Sequence, residues 1–389
     1  MAPLLSLLHQ AATRLARPHT LRAVRLCAAR LSSSAPALNR AVVFSENGNP
    51  TQVLSVKSYE PLPPPPPGAL NVRFRLSPIN PSDINIVQGV YPAKPTRVTI
   101  SGKELSVGGN EGLAEVVEVG DGVQGFEVGD WVISGKQQAG TWSTTRTLRA
   151  DDTIKLPAQG LSEVNAATIA VNPATAFCML HEFLDLKEGD WVLQNGDRLV
   201  GQAVIQIAAR KGIKTINFVR TRHVIANDID NLIASLTSLG ANHVFTYESL
   251  EDRTLGKNIK QWTAGNPIRL MLNCVGGPTT LAMTRYLGEN AHLVSYGAMS
   301  KQPLALPTSA FIFKNLQAHG HWQSRWYKEH SRQDREDLMD VLTALQLKEP
   351  EHEILDLSDE DNDGLATQKL RHALDRMERP YGRKILLRL

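Results

Sequence analysis

Residues Trp191–Arg222 read WVLQNGDRLVGQAVIQIAARKGIKTINFVRTR. A short apolar strand, Trp191–Gln194, enters a turn carrying Gly196 and Gly201. An amphipathic helix and a second apolar strand, Thr215–Val219, complete a βαβ unit. The turn entering such a helix is where backbone N–H groups meet a nucleotide pyrophosphate. This assigns Asp197, Arg198, Leu199, Val200 and Gly201 to a cofactor cradle. An NAD site places an acidic residue about 20 residues past the glycines, for the ribose 2′-hydroxyl. This chain has Arg220-Thr221-Arg222 there, 19 residues after Gly201. Two planar guanidiniums suit a 2′-phosphate, so the cofactor read from this stretch is NADPH. The turn nevertheless departs from G-x-G-x-x-G: it holds two glycines, and Leu199 stands where a small residue lets the backbone approach the phosphates.

A chain of 389 residues is long enough for two domains. No apolar run approaches the roughly 18 to 20 residues of a membrane span. Cys27, Cys178 and Cys274 lie far apart, which supports neither a disulfide framework nor a structural zinc site. The first acid is Glu46, and before it Arg14, Arg17, Arg22, Arg25, Arg30 and Arg40 alternate with leucines, alanines and serines. That is the composition of a mitochondrial transit peptide. Without residues 1–30, which hold five arginines and no acid, the formal charge of +3 falls to −2. The basic character belongs largely to this segment, and nothing points to nucleic acid. Leu4–Leu8 also fits L-x-x-L-L, a helix-in-groove pattern that leucine-rich transit peptides produce freely.

From Arg40 to about Leu156 the chain turns to short strand-like runs: Ala41–Ser45, Gln52–Ser58, Asn71–Ser77, Leu113–Val119 and Trp131–Ser134. The proline run Pro63–Pro67 is a loop. Lys94–Leu105 reads as a basic, solvated loop. These features describe a compact β-rich unit ahead of the nucleotide unit.

Asn80-Pro81-Ser82-Asp83, Gly109-Asn110-Glu111-Gly112, Gly129-Asp130-Trp131-Val132 and the βαβ unit resemble the medium-chain dehydrogenase/reductase superfamily. The resemblance implies a GroES-like catalytic domain beside a Rossmann-type, doubly wound parallel sheet. Zinc members place a Cys near Asp83 and a His near Asn110. Both are absent, which implies a zinc-free member with no metal ligands. More narrowly, INPSDINIVQG (79–89), VGGNEG (107–112), VNPATA (171–176), GQAVIQIA (201–208), TINFVRTR (215–222), LNCVGG (272–277), SYGAMSKQP (295–303) and HWQSRW (321–326) resemble mitochondrial trans-2-enoyl thioester reductases.

That resemblance implies an NADPH-dependent reductase of enoyl thioesters carried on acyl carrier protein or coenzyme A, in the mitochondrial matrix, as a homodimer. Tyr91 is the implied catalytic residue: a neutral phenol can stabilise the enolate oxygen or supply the Cα proton after hydride reaches Cβ. The resemblance further assigns Asn172, Tyr296, Gly297, Ala298, Met299, His321, Trp322, Gln323 and Arg383 to the cofactor. After Arg222 the periods alternate strand and helix, as in a parallel sheet: Leu232–Leu239, His243–Thr246, Ile268–Val275, Thr279–Leu287 and His292–Tyr296. A charged helix (Ser331–Leu345), an acidic loop (Leu355–Asp363), a helix (Gln368–Met377) and a strand (Lys384–Leu389) close the chain.

The expected organisation is a transit peptide over 1–37, a catalytic domain over 38–165, a Rossmann domain over 166–325, and a segment over 326–389 returning to the catalytic domain. Three other readings stay open at this stage. One is a zinc-free quinone reductase. Another is a binding protein using Leu4–Leu8. The third is an impaired variant in which the short Asn195–Gly201 turn weakens NADPH binding.

Overall fold

The computed structural model describes residues 39–157, 160–221, 226–358, 362–377 and 383–389. The segment read as a transit peptide, its Leu4–Leu8 box and Arg222 lie outside the described residues. Among those residues no helix is long and apolar enough to cross a membrane.

Six strands form a parallel sheet: Trp191–Gln194, Lys214–Val219, His243–Thr246, Ile268–Asn273, Leu287–Ser295 and Gln317–Gly320. Numbered along the chain, they lie in the order 3-2-1-4-5-6. The chain runs outward from strand 1 in one direction, then crosses back to strand 4 and runs outward in the other. That reversal leaves a crevice at the carboxyl ends of strands 1 and 4. Side chains alternate between the faces. Val192 and Leu270 join a core with Val204 and Ile207 of the helix Leu199–Arg210, whereas Leu193 and Met271 pack on the opposite face with Ile216, Phe218 and Leu293.

The long strand Ala69–Pro78 organises an antiparallel sheet and pairs with Leu113–Val119 and Thr145–Arg149. The final strand, Lys384–Arg388, sets Leu386 against Pro78 and Leu387 against Ser77, and lies parallel to His352–Asp356. The end of the chain is thereby sewn onto its beginning. A second antiparallel sheet takes in Asn39–Phe44, Ser55–Tyr59 and the hairpin of Thr96–Ile100 with Lys103–Val107.

Three local expectations are corrected. Pro50–Val53 is a helical turn, because the Asn49 side chain accepts from the Thr51 N–H and Pro50 fits the first helical position; the strand begins only at Ser55. The basic stretch after Tyr91 is a hairpin, its turn made by Ser101 and Gly102 at φ of 51° and 74°, the backbone of tight hairpin turns. Leu355 belongs to a strand and is buried in the core with Ile385 and Leu387.

One packing feature positions the site. Trp142 is fully buried, and its indole N–H donates to Pro78 O at 3.0 Å. A Cβ at Gly108 would fall on its ring, and Gly109 has φ of +96°. Only glycines let the loop 108–112 pass this close to the indole. Trp142→Ala should lower the unfolding free energy by about 3–5 kcal/mol, through the cavity and the orphaned carbonyl, as read from urea denaturation.

Candidate active site

The turn Asn195–Gly201 sits at the crevice. Asn195 is buried and staples the two sides: its Nδ2 donates to Asn273 Oδ1 (2.9 Å) and Thr280 Oγ1 (3.1 Å), and its Oδ1 accepts from the Cys274 N–H (2.8 Å). A Cβ on Gly201 would strike the Gly196 carbonyl, and one on Gly196 would strike the Tyr296 hydroxyl. The helix begins at Leu199, and its N-cap residue Arg198 makes no side-chain capping bond. Its first N–H groups therefore remain for an anion, which is the fit a pyrophosphate requires. Asp197, Leu199 and Val200 are half-buried around this turn and Arg198 is exposed.

Other residues assigned from sequence gather at the same sheet edge, each following a strand. Arg220 and Thr221 follow strand 2, and Thr221 Oγ1 donates to Glu248 at 2.5 Å. Tyr296 follows strand 5, with exposed Gly297, Ala298 and Met299 after it; the Met299 N–H donates to Cys274 O at 2.8 Å. His321 follows strand 6, buried, with Nδ1 3.6 Å from Glu182 and Nε2 3.2 Å from Gln323 Oε1.

Next along the chain, Trp322 reaches the other half of the molecule. Its indole N–H donates to the Tyr91 hydroxyl oxygen at 2.8 Å, and the rings meet edge to face at 6.1 Å. Tyr91 follows the helix Pro81–Val87 and the Gly89 turn, where φ is +77°. Burial pushes the Tyr91 phenol above its ordinary value; the Trp322 hydrogen bond pulls the other way, and the Asp83 charge adds to the rise. At neutral pH Tyr91 keeps its proton.

Beside this pair lies a buried polar cluster. Lys384 donates to Asn80 Oδ1, Asn80 Nδ2 donates to Glu111 Oε1 at 2.7 Å, and Asn172 Nδ2 donates to Asn80 Oδ1 at 3.3 Å. Asp83 Oδ2 accepts from the Asn80 N–H at 2.8 Å, starting the helix Pro81–Val87. Of the residues assigned from sequence, only Asn172 belongs to this cluster. Arg383 is exposed, and its neighbour Lys384 is the cation that enters. Asn80 and Glu111 stood in quoted motifs without a role. Lys384 had a weaker signal, a lone cation opening the apolar run Ile385–Leu387.

Asp83 and Asn110, near which the resemblance puts the Cys and His of zinc members, hold backbone groups here: Asp83 accepts from the Asn80 N–H, and Asn110 Oδ1 accepts from the Gln138 N–H at 2.9 Å. Among the described residues no group of three or more His, Cys, Asp and Glu is placed to hold a metal ion.

Burial raises the Glu111 carboxyl and lowers the Lys384 ammonium, each partly countered by the other's charge. Burial also lifts the Asp83 carboxyl to about 6. Unfolded, that carboxyl titrates near 4. Between these values the native state holds the proton more tightly, so this group makes the protein lose stability as pH rises from about 4 to about 6. Asp83→Asn should flatten that fall. Urea midpoints of both proteins across the window test this, and parallel curves would refute it.

The matches to known proteins follow the same layout. Residues 66–158 match the alcohol dehydrogenase GroES-like domain, and residues 200–344 match the family described as zinc-binding dehydrogenase. The mitochondrial enoyl-[acyl-carrier-protein] reductase of Schizosaccharomyces pombe is 43% identical over 297 residues, covering 75% of this chain and 78% of the relative. The mitochondrial 2-enoyl thioester reductase heterodimer Etr1p/Etr2p of Candida tropicalis superposes with a TM-score of 0.81 at 33% identity, over 90% of this chain and 100% of that one. A complex of Etr1p with NADP and crotonyl-CoA gives 0.82 at 33% identity, over 90% and 99%. The chain belongs to the mitochondrial enoyl-[acyl-carrier-protein] reductase family, within the medium-chain dehydrogenase/reductase fold.

Proposed function

We propose that the chain reduces trans-2-enoyl thioesters to saturated acyl thioesters with NADPH, in mitochondrial fatty acid synthesis, and that Tyr91 is the acid. The observation that carries the role of Tyr91 is the Trp322 hydrogen bond. A phenol oxygen that accepts from an indole N–H has its own O–H left to give. Bound NADPH supplies the hydride for Cβ. Tyr91 donates a hydrogen bond to the thioester oxygen as negative charge develops there, and the same O–H then gives its proton to Cα, leaving a phenolate that takes a proton back from solvent. Half-burial against the apolar core of Leu54, Ile79 and Leu387 keeps that phenol neutral until the charge forms. Asp197–Gly201 hold the pyrophosphate through the free N–H groups of the helix start. Arg220, Thr221 and Arg222 take the 2′-phosphate. Asn172, Tyr296–Met299, His321, Trp322 and Gln323 surround the nicotinamide half, and Lys384 takes the place expected of Arg383.

The boundaries 1–37, 38–165, 166–325 and 326–389 are proposed with this function. The parallel sheet lies inside the third span, and the pairing of Lys384–Arg388 with Ala69–Pro78 supports the return of the fourth. The matrix is the proposed location, in line with the composition of residues 1–37 and the mitochondrial relatives. Both acyl carrier protein and coenzyme A are proposed carriers; exposed Lys94 and Lys103, close along the chain to Tyr91, suit their phosphates and acids.

A homodimer is proposed through the open edge of the parallel sheet. Gln317–Gly320 is an edge strand, and the helix before it, Thr308–Lys314, exposes Phe311, Ile312 and Phe313 at 41%, 66% and 76%. Such an apolar patch beside an unpaired strand suits a second copy. Phe313→Asp should shift the mass measured by light scattering from two chains to one; an unchanged dimer would place the interface elsewhere.

Activity is tested with purified protein, NADPH and a trans-2-enoyl-CoA. Tyr91→Phe should lower kcat by roughly 10²- to 10⁴-fold and leave the NADPH dissociation constant within about twofold. Retained turnover in Tyr91→Phe would remove its role. Loss of NADPH binding by the unaltered chain would identify the short turn as impaired.

A further inference from the structure

Lys384, Asn80, Glu111 and Asn172 form a chain of side chains whose directions chemistry settles. A lysine ammonium only donates, so the Asn80 atom facing Lys384 is its oxygen. The other end of the same amide is then its NH₂, and Glu111 Oε1 accepts from it at 2.7 Å. With the Asn80 oxygen so placed, the Asn172 atom 3.3 Å from it must donate, and is Nδ2. The Asn172 oxygen is thereby turned away from Asn80, and among the described residues it takes no hydrogen bond. Asn172 opens the helix Asn172–His181, and the ring of Pro173 restricts the backbone of the residue before it. Its side-chain rotation is the freedom that remains, and Asn80 removes it.

We propose that Glu111 is a positioning residue for cofactor binding: through Asn80 it fixes the Asn172 amide with its oxygen presented to the carboxamide of a bound nicotinamide. This rests on the reading above that Asn172 faces the nicotinamide. Glu111 is 4% exposed, and its second oxygen is buried with no hydrogen-bond partner. The Val171 backbone, at the N-cap of the helix that begins with Asn172, also favours the Glu111 carboxylate, so Glu111 faces the start of that helix as well as Asn80. The loop that carries it is pinned by the glycine contacts with Trp142 and by Thr141 Oγ1, which donates to Glu111 O at 2.7 Å. Glu111 is thus the rigid end of the relay, and Asn172 is the end that meets the ligand.

The test is NADPH affinity by fluorescence titration, alongside kcat and melting temperature, in a double-mutant cycle. Glu111→Ala should weaken NADPH binding about tenfold, the size of one lost hydrogen bond. Glu111→Gln keeps an acceptor for Asn80 and should restore affinity to within about threefold. Asn172→Ala alone should also weaken binding about tenfold. In that background Glu111→Ala should add less than about twofold, because the residue it acts through is gone. If Glu111→Ala does not fold, Asn80→Ala replaces it in the same cycle with the same expectation. Multiplying effects in the double variant would overturn the relay while leaving the nicotinamide reading intact. A lowered melting temperature with unchanged affinity in Glu111→Ala would assign a structural role only. Unchanged affinity in Asn172→Ala would overturn the nicotinamide reading and the relay with it.

Discussion

An ammonium and two carboxylates buried together are the constraint on which the rest of this molecule depends. Lys384, Asp83 and Glu111 are each 5% exposed or less. Removing charges from water costs several kcal/mol per group, and only close partners offset it. The partners come from four places in the chain: the helix Pro81–Val87, the loop 108–112, the helix Asn172–His181 and the last strand. Taking away any one would leave a charge or an amide stranded. The elements that deliver them are correspondingly well held. Trp142 clamps the glycine loop against Pro78, and Leu386 and Leu387 dock the last strand beside Pro78 and Ser77.

The sheet topology does the complementary work. The order 3-2-1-4-5-6 gathers the residues after five strands along one edge, so parts separated by more than a hundred positions meet in one crevice. The residues after strand 6 extend past the sheet and bring Trp322 to Tyr91. Tyr91 and the residues after the parallel strands thus belong to different units, and these are registered by the indole hydrogen bond, the buried cluster beneath it and a shared apolar core in which Leu76, Leu113 and Ile133 pack with Val192, Val204 and Leu270.

Much of this was legible in the chain. The strands Trp191–Gln194, His243–Thr246, Leu113–Val119 and Trp131–Ser134 fall where the apolar runs place them, because buried parallel or half-buried strands write their burial into composition. The helical turn at Pro50–Val53 was hidden because its signal is one dipeptide, the cap Asn49 and Pro50 after it, ahead of a run that reads as a strand. The hairpin after Tyr91 does alternate, with Val98, Ile100, Leu105 and Val107 packing inward, but each strand is only five residues long and the charges of Arg97, Lys103 and Glu104 between them read as a solvated loop. Arg383 was the cation assigned from the sequence, whereas the buried one is its neighbour Lys384, one residue further along. In a strand, one step moves a side chain to the opposite face, and the run Ile385–Leu387 is buried on both faces, so no alternation marks which neighbour points inward.

The turn at Gly196 and Gly201 carries the same lesson about how a motif can be built from different parts. Three glycines in such a turn serve a tight bend, an approach to phosphate and close packing of helix on strand. Here Gly201 packs on the Gly196 carbonyl, and Gly196 lies under the Tyr296 hydroxyl, so both fill positions where no Cβ fits. The remaining requirement, a bend held in place, falls to Asn195. Its side chain bonds Asn273, Thr280 and the Cys274 backbone across the crevice, and Gln194 adds a bond to the Gly201 carbonyl at 3.0 Å. Buried amide bonds of this kind hold a backbone as firmly as its own preference would, provided every partner is present. Leu199 then starts the helix instead of shaping the turn, and the uncapped N–H groups beside it stay directed at the crevice. The missing glycine is a loss of conformational freedom that the hydrogen bonds of Asn195 replace.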